Sequence, residues 1–193
     1  MEWADILDKR SHIFAFDNTI PPKDLLNQIT DEIHHYVPVK QNEFYYSIEI
    51  FDYSDVDLRK KIYQTTGTNY HNNYRYNPQV LAPWLFVFKE NMELTVNDKP
   101  FQLRRNYTNM QVGMASMFIA LSAVNKGLDV GFCQCVTDHN LLNELIGNDV
   151  VLMLGVGYKS VKDNYYCLID EIEKPIPSKV IPKPKKEEYI KWI

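Results

Sequence analysis

Apolar and polar residues alternate with two different periods along this chain, and the switches between them mark out its elements. Trp3, Ile6 and Leu7 share one helical face in a segment that ends near Arg10. After a turn, Pro21 and Pro22 open a second helix whose apolar face is Leu25, Leu26, Ile29, Ile33 and Tyr36, and Pro38 stops it. Residues 44–52 (FYYSIEIFD) alternate and are rich in β-formers, so a strand is expected there. Ser54 with Asp57 three residues on resembles a capping box for a helix reaching about Thr65.

Residues 67–79 are rich in Asn and Tyr and read as a long loop, of the kind that often carries function. A second strand is expected at 84–89 (WLFVFK). Residues 110–126 (MQVGMASMFIALSAVNK) have helical length, are apolar almost all round and are followed by Gly127 as a C-terminal cap. A helix with no polar face is buried on every side, which in a chain of 193 residues calls for a partner subunit. A short helix follows from about Asp138 to Gly147, with Leu141, Leu142, Leu145 and Ile146 inward. The unbroken apolar run 150–156 (VVLMLGV) marks a central strand covered on both faces. From Lys174 the chain is rich in Pro and Lys and reads as an extended tail over another surface. The order is α-α-β-α-loop-β-α-α-β-tail: an α+β fold with a mainly antiparallel or mixed sheet, in a single domain spanning 1–193.

Composition narrows this picture. Hydrophobic residues at 45% and charged residues at 24% are globular values. A formal net charge of −4 offers no general attraction to nucleic acid or to an anionic membrane. The longest apolar run, 112–124, is too short to span a bilayer, and the N-terminus MEWADILDKR has no secretory core. Cys133, Cys135 and Cys167 are an odd, sparse set, which reads as free thiols in the cytoplasm. Cys133-x-Cys135 lacks a second pair at zinc spacing, and His34, His35, His71 and His139 have no partners at ligand spacing. With seven glycines there is no phosphate-cradling glycine loop.

Six short motifs lie in a consistent order. They are Lys9-Arg10-Ser11-His12-Ile13-Phe14-Ala15-Phe16-Asp17; Pro38 with Asn42; and Asn77-Pro78-Gln79-Val80-Leu81-Ala82-Pro83 leading into WLFVF. The long apolar helix with Gly127-Leu128-Asp129, then Val156-Gly157-Tyr158, then Lys183-x-Lys185 complete the set. Together they resemble the nitroreductase family over nearly the whole chain. The resemblance implies an intertwined homodimer with two FMN sites at the interface, the tail from about 174 packing on the partner subunit. It also implies ping-pong transfer of electrons from NAD(P)H to nitroaromatics, quinones or similar small acceptors. No catalytic acid or base is then needed, because the flavin carries the chemistry.

Carried over residue by residue, Arg10, Ser11 and His12 would hold the FMN phosphate, joined by Lys183 and Lys185 from the tail. Asn77 and Arg75 would lie at the pyrimidine edge of the flavin. Pro38, Val39, Lys40 and Asn42 would reach the ring from the other subunit. Cys133, Gln134 and Cys135 would lay backbone against the hydride-accepting nitrogen, through the N–H of Gln134 or Cys135. Asn77 also reads as an ordinary turn residue before Pro78. Three departures stand out: Phe14 where relatives carry a cation, Pro38-Val39-Lys40 without hydroxyls, and Phe44-Tyr45-Tyr46 in place of Gln-Pro-Trp. The first motivates an alternative, a flavin-binding or interaction protein of this fold without turnover. Residues 91–105 are the one candidate for a lid over the flavin, and a short one.

Overall fold

The computed structural model describes residues 2–39, 42–70, 73–75, 77–91, 101–160 and 184–190. Helices α1 (Trp3–Lys9) and α2 (Lys23–Tyr36) lead to strand β1 (Tyr46–Phe51) and helix α3 (Val56–Thr65). Two three-residue strands, β2 (Thr68–Tyr70) and β3 (Asn73–Arg75), pair with each other before a 3₁₀ turn at Pro78–Leu81. Strand β4 (Trp84–Glu90), helix α4 (Phe101–Asn125), strand β5 (Asp129–Cys133), helix α5 (His139–Ile146) and strand β6 (Val150–Gly157) follow, then a short helix α6 (Lys186–Tyr189). The main sheet has four strands in the order β1-β4-β6-β5, antiparallel throughout. No helix among the described residues is long and apolar enough to cross a membrane.

Both faces of β4 and β6 are covered, which explains their continuous apolar runs. Phe86, Phe88, Leu154 and Val156 pack against α2 and α4. Leu85, Val87 and Met153 turn the other way, onto a second core with residues of α3, α5 and the 3₁₀ turn. That turn lies directly on the sheet, and three glycines make room for it. Gly131 and Gly155 are paired across β5 and β6. A Cβ on Gly131 would stand 2.3 Å from the Ile13 carbonyl oxygen, and one on Gly155 would stand 2.1 Å from the Gln79 carbonyl oxygen. On Gly157 it would stand 2.7 Å from Pro83.

The architecture agrees with the expected α+β class, and several local expectations are corrected. β5 was absent from the expected order, because Asp129 and Gly131 dilute its pattern. The loop expected at 67–79 contains the β2–β3 pair and the 3₁₀ turn. Asp55, not Ser54, caps α3 by accepting the Leu58 N–H at 2.9 Å, while Ser54 bonds Asp52. On α1 only Ile6 is buried, and on α2 Tyr36 is 69% exposed.

The largest correction concerns α4. It begins at Phe101, so residues 101–105 of the expected lid are helix, and 92–100 lie outside the described residues. Within one chain it is not buried on every side. Met110 (51% exposed) and Met117 (43%) flank an exposed Gly113 on one helical stripe. At its C-terminus the expected cap is present: Gly127 has φ +78 and the Leu128 N–H returns to the Ala123 carbonyl at 2.9 Å.

Candidate functional site

The segment after α1 runs along the outer edge of β5 and is bolted there by its apolar residues. Ile13 and Phe16 are buried against the sheet. The Ile13 N–H donates to Val130 at 3.0 Å, Asp17 N–H to Tyr158 at 2.7 Å, and Ser160 N–H back to Ala15 at 3.1 Å. His12 forms a parallel bridge with Val130. Arg10 caps the end of α1, and Ser11 is half-buried beside it.

The edge continues through His12 itself. Its Nδ1 accepts the backbone N–H of Phe132 at 3.1 Å. An acceptor Nδ1 requires a neutral imidazole with its proton on Nε2. Desolvation against the sheet edge, and then the Arg10 charge, lower the His12 pKa in the same direction. The ring stacks near Phe132, with centroids 6.1 Å apart, and meets Phe14 edge-on at 4.6 Å. Phe14 stays 42% exposed, so the His12, Phe14 and Phe132 rings make a partly open aromatic surface.

Phe132 is also bound from its other side. Its carbonyl accepts Gln79 Nε2 at 3.0 Å, and the same Nε2 lies 3.3 Å from Asn77 Oδ1. Asn77 in turn donates from Nδ2 to the Thr66 carbonyl at 2.7 Å and from its backbone N–H to Thr66 Oγ1 at 3.1 Å. The Asn77 amide is thus engaged in fixing the turn before Pro78. Gln79, which the sequence reading passed over, is 2% exposed, and its Oε1 is buried without a hydrogen-bond partner among the described residues. Nothing in the linear pattern separates it from an ordinary polar turn residue.

Beyond β5 the two thiols take different parts. Cys133 is buried, which pushes its thiol up to about 12. Cys135 is exposed. The Gln134 backbone N–H donates no hydrogen bond among the described residues, while its side chain donates to the Val151 carbonyl at 3.3 Å.

The remaining candidates lie elsewhere. Pro38 and Asn42 are exposed, and Asn42 is left-handed at φ 60. Val39 is half-buried. These residues precede β1, the sheet edge opposite β5. Three strand spacings, about 14 Å, separate the two edges within one chain. Arg75 lies in β3, but its side chain, like Lys40 and Lys183, lies outside the described residues. Lys185 is exposed at the start of α6. The structure therefore brings Arg10, Ser11 and His12 together with 132–135, links Asn77 to them through Gln79, and keeps Pro38, Val39 and Asn42 apart.

No family model and no curated protein matches the sequence. Solved structures do match its fold. A nitroreductase family protein from Clostridium novyi NT aligns with TM-score 0.67 at 21% identity, over 83% of this chain and 87% of that one. An FMN-dependent nitroreductase from Clostridium difficile R20291 aligns with TM-score 0.63 at 15% identity, over 97% and 96%. A candidate NAD(P)H:FMN oxidoreductase from Staphylococcus epidermidis aligns with TM-score 0.70 at 13% identity, over 100% and 96%. The chain has the nitroreductase fold.

Proposed function

We propose that the protein is an FMN-dependent oxidoreductase that works in the cytoplasm as a homodimer. It takes electrons from NAD(P)H and delivers them to a small acceptor in two half-reactions at one site. The observation that carries this reading is the bond of His12, two residues after Arg10, to Phe132 at the β5 edge of this fold. Bound there, FMN would supply the hydride and electron chemistry.

The chain's own residues fit such a guest. A phosphate dianion needs charged and polar donors. Arg10, the Ser11 hydroxyl and the outward Nε2–H of His12 would provide them, with Lys183 and Lys185 from the tail. The unbonded Gln134 N–H would face the flavin ring, and the open aromatic surface of Phe14 and Phe132 suits a planar group. Asn77 and Arg75 would serve the pyrimidine edge. The gap of about 14 Å between sheet edges supports supply of Pro38, Val39, Lys40 and Asn42 by the second subunit. The exposed stripe of Met110, Gly113 and Met117 supports a subunit contact along α4.

An absorbance spectrum of the purified protein before and after anaerobic NADPH tests the reading. A yellow protein that bleaches supports it. A colourless protein that ignores added FMN would sink it. A yellow protein that does not bleach favours the second reading, a flavin binder without turnover, which rests on Phe14 standing open where a cation would stabilise reduced flavin. The dimer has a separate test: Gly113→Leu should raise the dissociation constant in sedimentation, since no described residue of its own chain crowds that position.

A further inference from the structure

Past the Cys133 end of β5, a cavity of about 250 Å³ opens between α4, the start of β6 and the segment leading to α5. We propose that it binds a small aromatic carboxylate, with the acid on Arg105 and Asn109 and the ring against Val151 and Leu152. Arg105 and Asn109 are one turn apart on α4 and so share a face. Among the described residues Arg105 has no carboxylate partner and the Asn109 amide no hydrogen bond. Two adjacent unspent donors, one of them a guanidinium, match the planar oxygens of a carboxylate.

The apolar side has a specific origin. The β4–β6 ladder slips between Phe88 and Lys89, so Phe88 pairs with Leu152, Lys89 pairs with Val150, and Val151 is left over. Val151 and Leu152 consequently both pack toward the α2–α4 core. Such a bulge re-aims side chains locally. The other charged groups around the cavity are Glu90, Asp149 and His139. Glu90 is paired with Arg104 at 2.9 Å, which leaves Asp149, held left-handed at φ 66, as the opposing anion. The volume lies below the range for drug-sized ligands and suits a single ring. Gln134 lines both this cavity and the proposed flavin segment, so the ligand would stand beside the flavin. A role as electron acceptor rests on the FMN reading, whereas binding does not.

Calorimetric titration of the full chain with 4-nitrobenzoate, nitrobenzene and benzylamine tests the site. The wild type should bind 4-nitrobenzoate at least roughly tenfold more tightly than nitrobenzene, the scale of one charged hydrogen-bond pair. Arg105→Gln should erase that ratio while leaving the circular dichroism spectrum unchanged. Asp149→Asn, which keeps a residue tolerant of the left-handed turn, should tighten 4-nitrobenzoate about threefold. A gain of affinity cannot come from misfolding. Equal affinities in the wild type, a ratio that survives Arg105→Gln, or tighter binding of benzylamine would overturn the site. Arg105-dependent binding in a flavin-free protein would keep the site and discard the redox reading. A bleaching flavoprotein with no carboxylate preference would do the reverse.

Discussion

Gln111 stands in for a β-strand beside Tyr45. Its Oε1 accepts the Tyr45 N–H at 2.9 Å, and its Nε2 donates to the Glu43 carbonyl at 3.0 Å. Thr108, one turn back on α4, donates to the Tyr45 carbonyl at 3.1 Å. Asn91 adds its backbone N–H to the same carbonyl at 3.0 Å. The chain between the left-handed Asn42 and β1 is thereby held by helix side chains where the sheet does not reach.

Gln111→Met keeps the volume and removes both bonds. Gln111 is fully buried, so the orphaned Tyr45 N–H and Glu43 carbonyl find no easy substitute. Urea unfolding should show a loss of at least about 2 kcal/mol with an unchanged slope. A loss under about 0.5 kcal/mol, the scale of a surface substitution, would mean that water replaces the amide.

Gly131→Ala and Gly155→Ala each drive a methyl into backbone, toward the carbonyls of Ile13 and Gln79 respectively. Neither carbonyl sits at the end of a flexible side chain, so relief requires moving the N-terminal segment or the 3₁₀ turn. Each should cost about 3 kcal/mol or more, the upper end of overpacking effects. Thermal melts within a degree or so of the wild type would show that the turn does not lie against the sheet.

His12 should make stability depend on pH in one direction. Its folded pKa is lowered, by desolvation first and by Arg10 second, below the unfolded value of about 6.5. In that window the unfolded chain binds a proton that the native chain does not, so stability rises with pH and levels off above about 6.5. Acidification costs stability because protonation turns Nδ1 from acceptor into donor and breaks its bond to Phe132. His12→Asn should flatten the slope below about pH 6.5. Parallel stability curves for the two proteins would remove His12 from this role.

The two described thiols should react very differently. In a Cys167→Ser background, which silences the cysteine outside the described residues, Ellman's reagent should titrate one thiol quickly, Cys135. Cys133, pushed up to about 12 by burial, should appear only on unfolding. Two fast thiols in the native protein would contradict the placement of Cys133.

Strand β6 was legible in the sequence because burial on both faces writes itself as an unbroken apolar run, and the apolar half of α4 by its length and the glycine that caps it. The polar first half of α4 was not, since Gln102, Arg104, Arg105 and Asn106 look like loop until the helix is known to continue. β5 hid behind Gly131, whose purpose is to admit Gln79 and Ile13, a requirement visible only in three dimensions. The motif around Arg10 and His12 lies along the β5 edge of the sheet. Gln79, Gln111 and Thr108 were unreadable for a common reason: each is a polar residue whose meaning is a backbone group 53 to 68 positions away.

The strand order has a consequence for how the protein is made. β6 sits between β4 and β5 although it is the last of the four to be synthesised. A nascent chain cut before Val150 has β1 and β4 able to pair, but β5 has no neighbouring strand to join. The sheet is closed by β6, and the β4–β6 and β5–β6 pairings wait for that event. Pairings so distant in sequence fold slowly and leave apolar edges open meanwhile. On the ribosome, the most apolar part of α4 emerges before β6, one of the strands it covers, has been made.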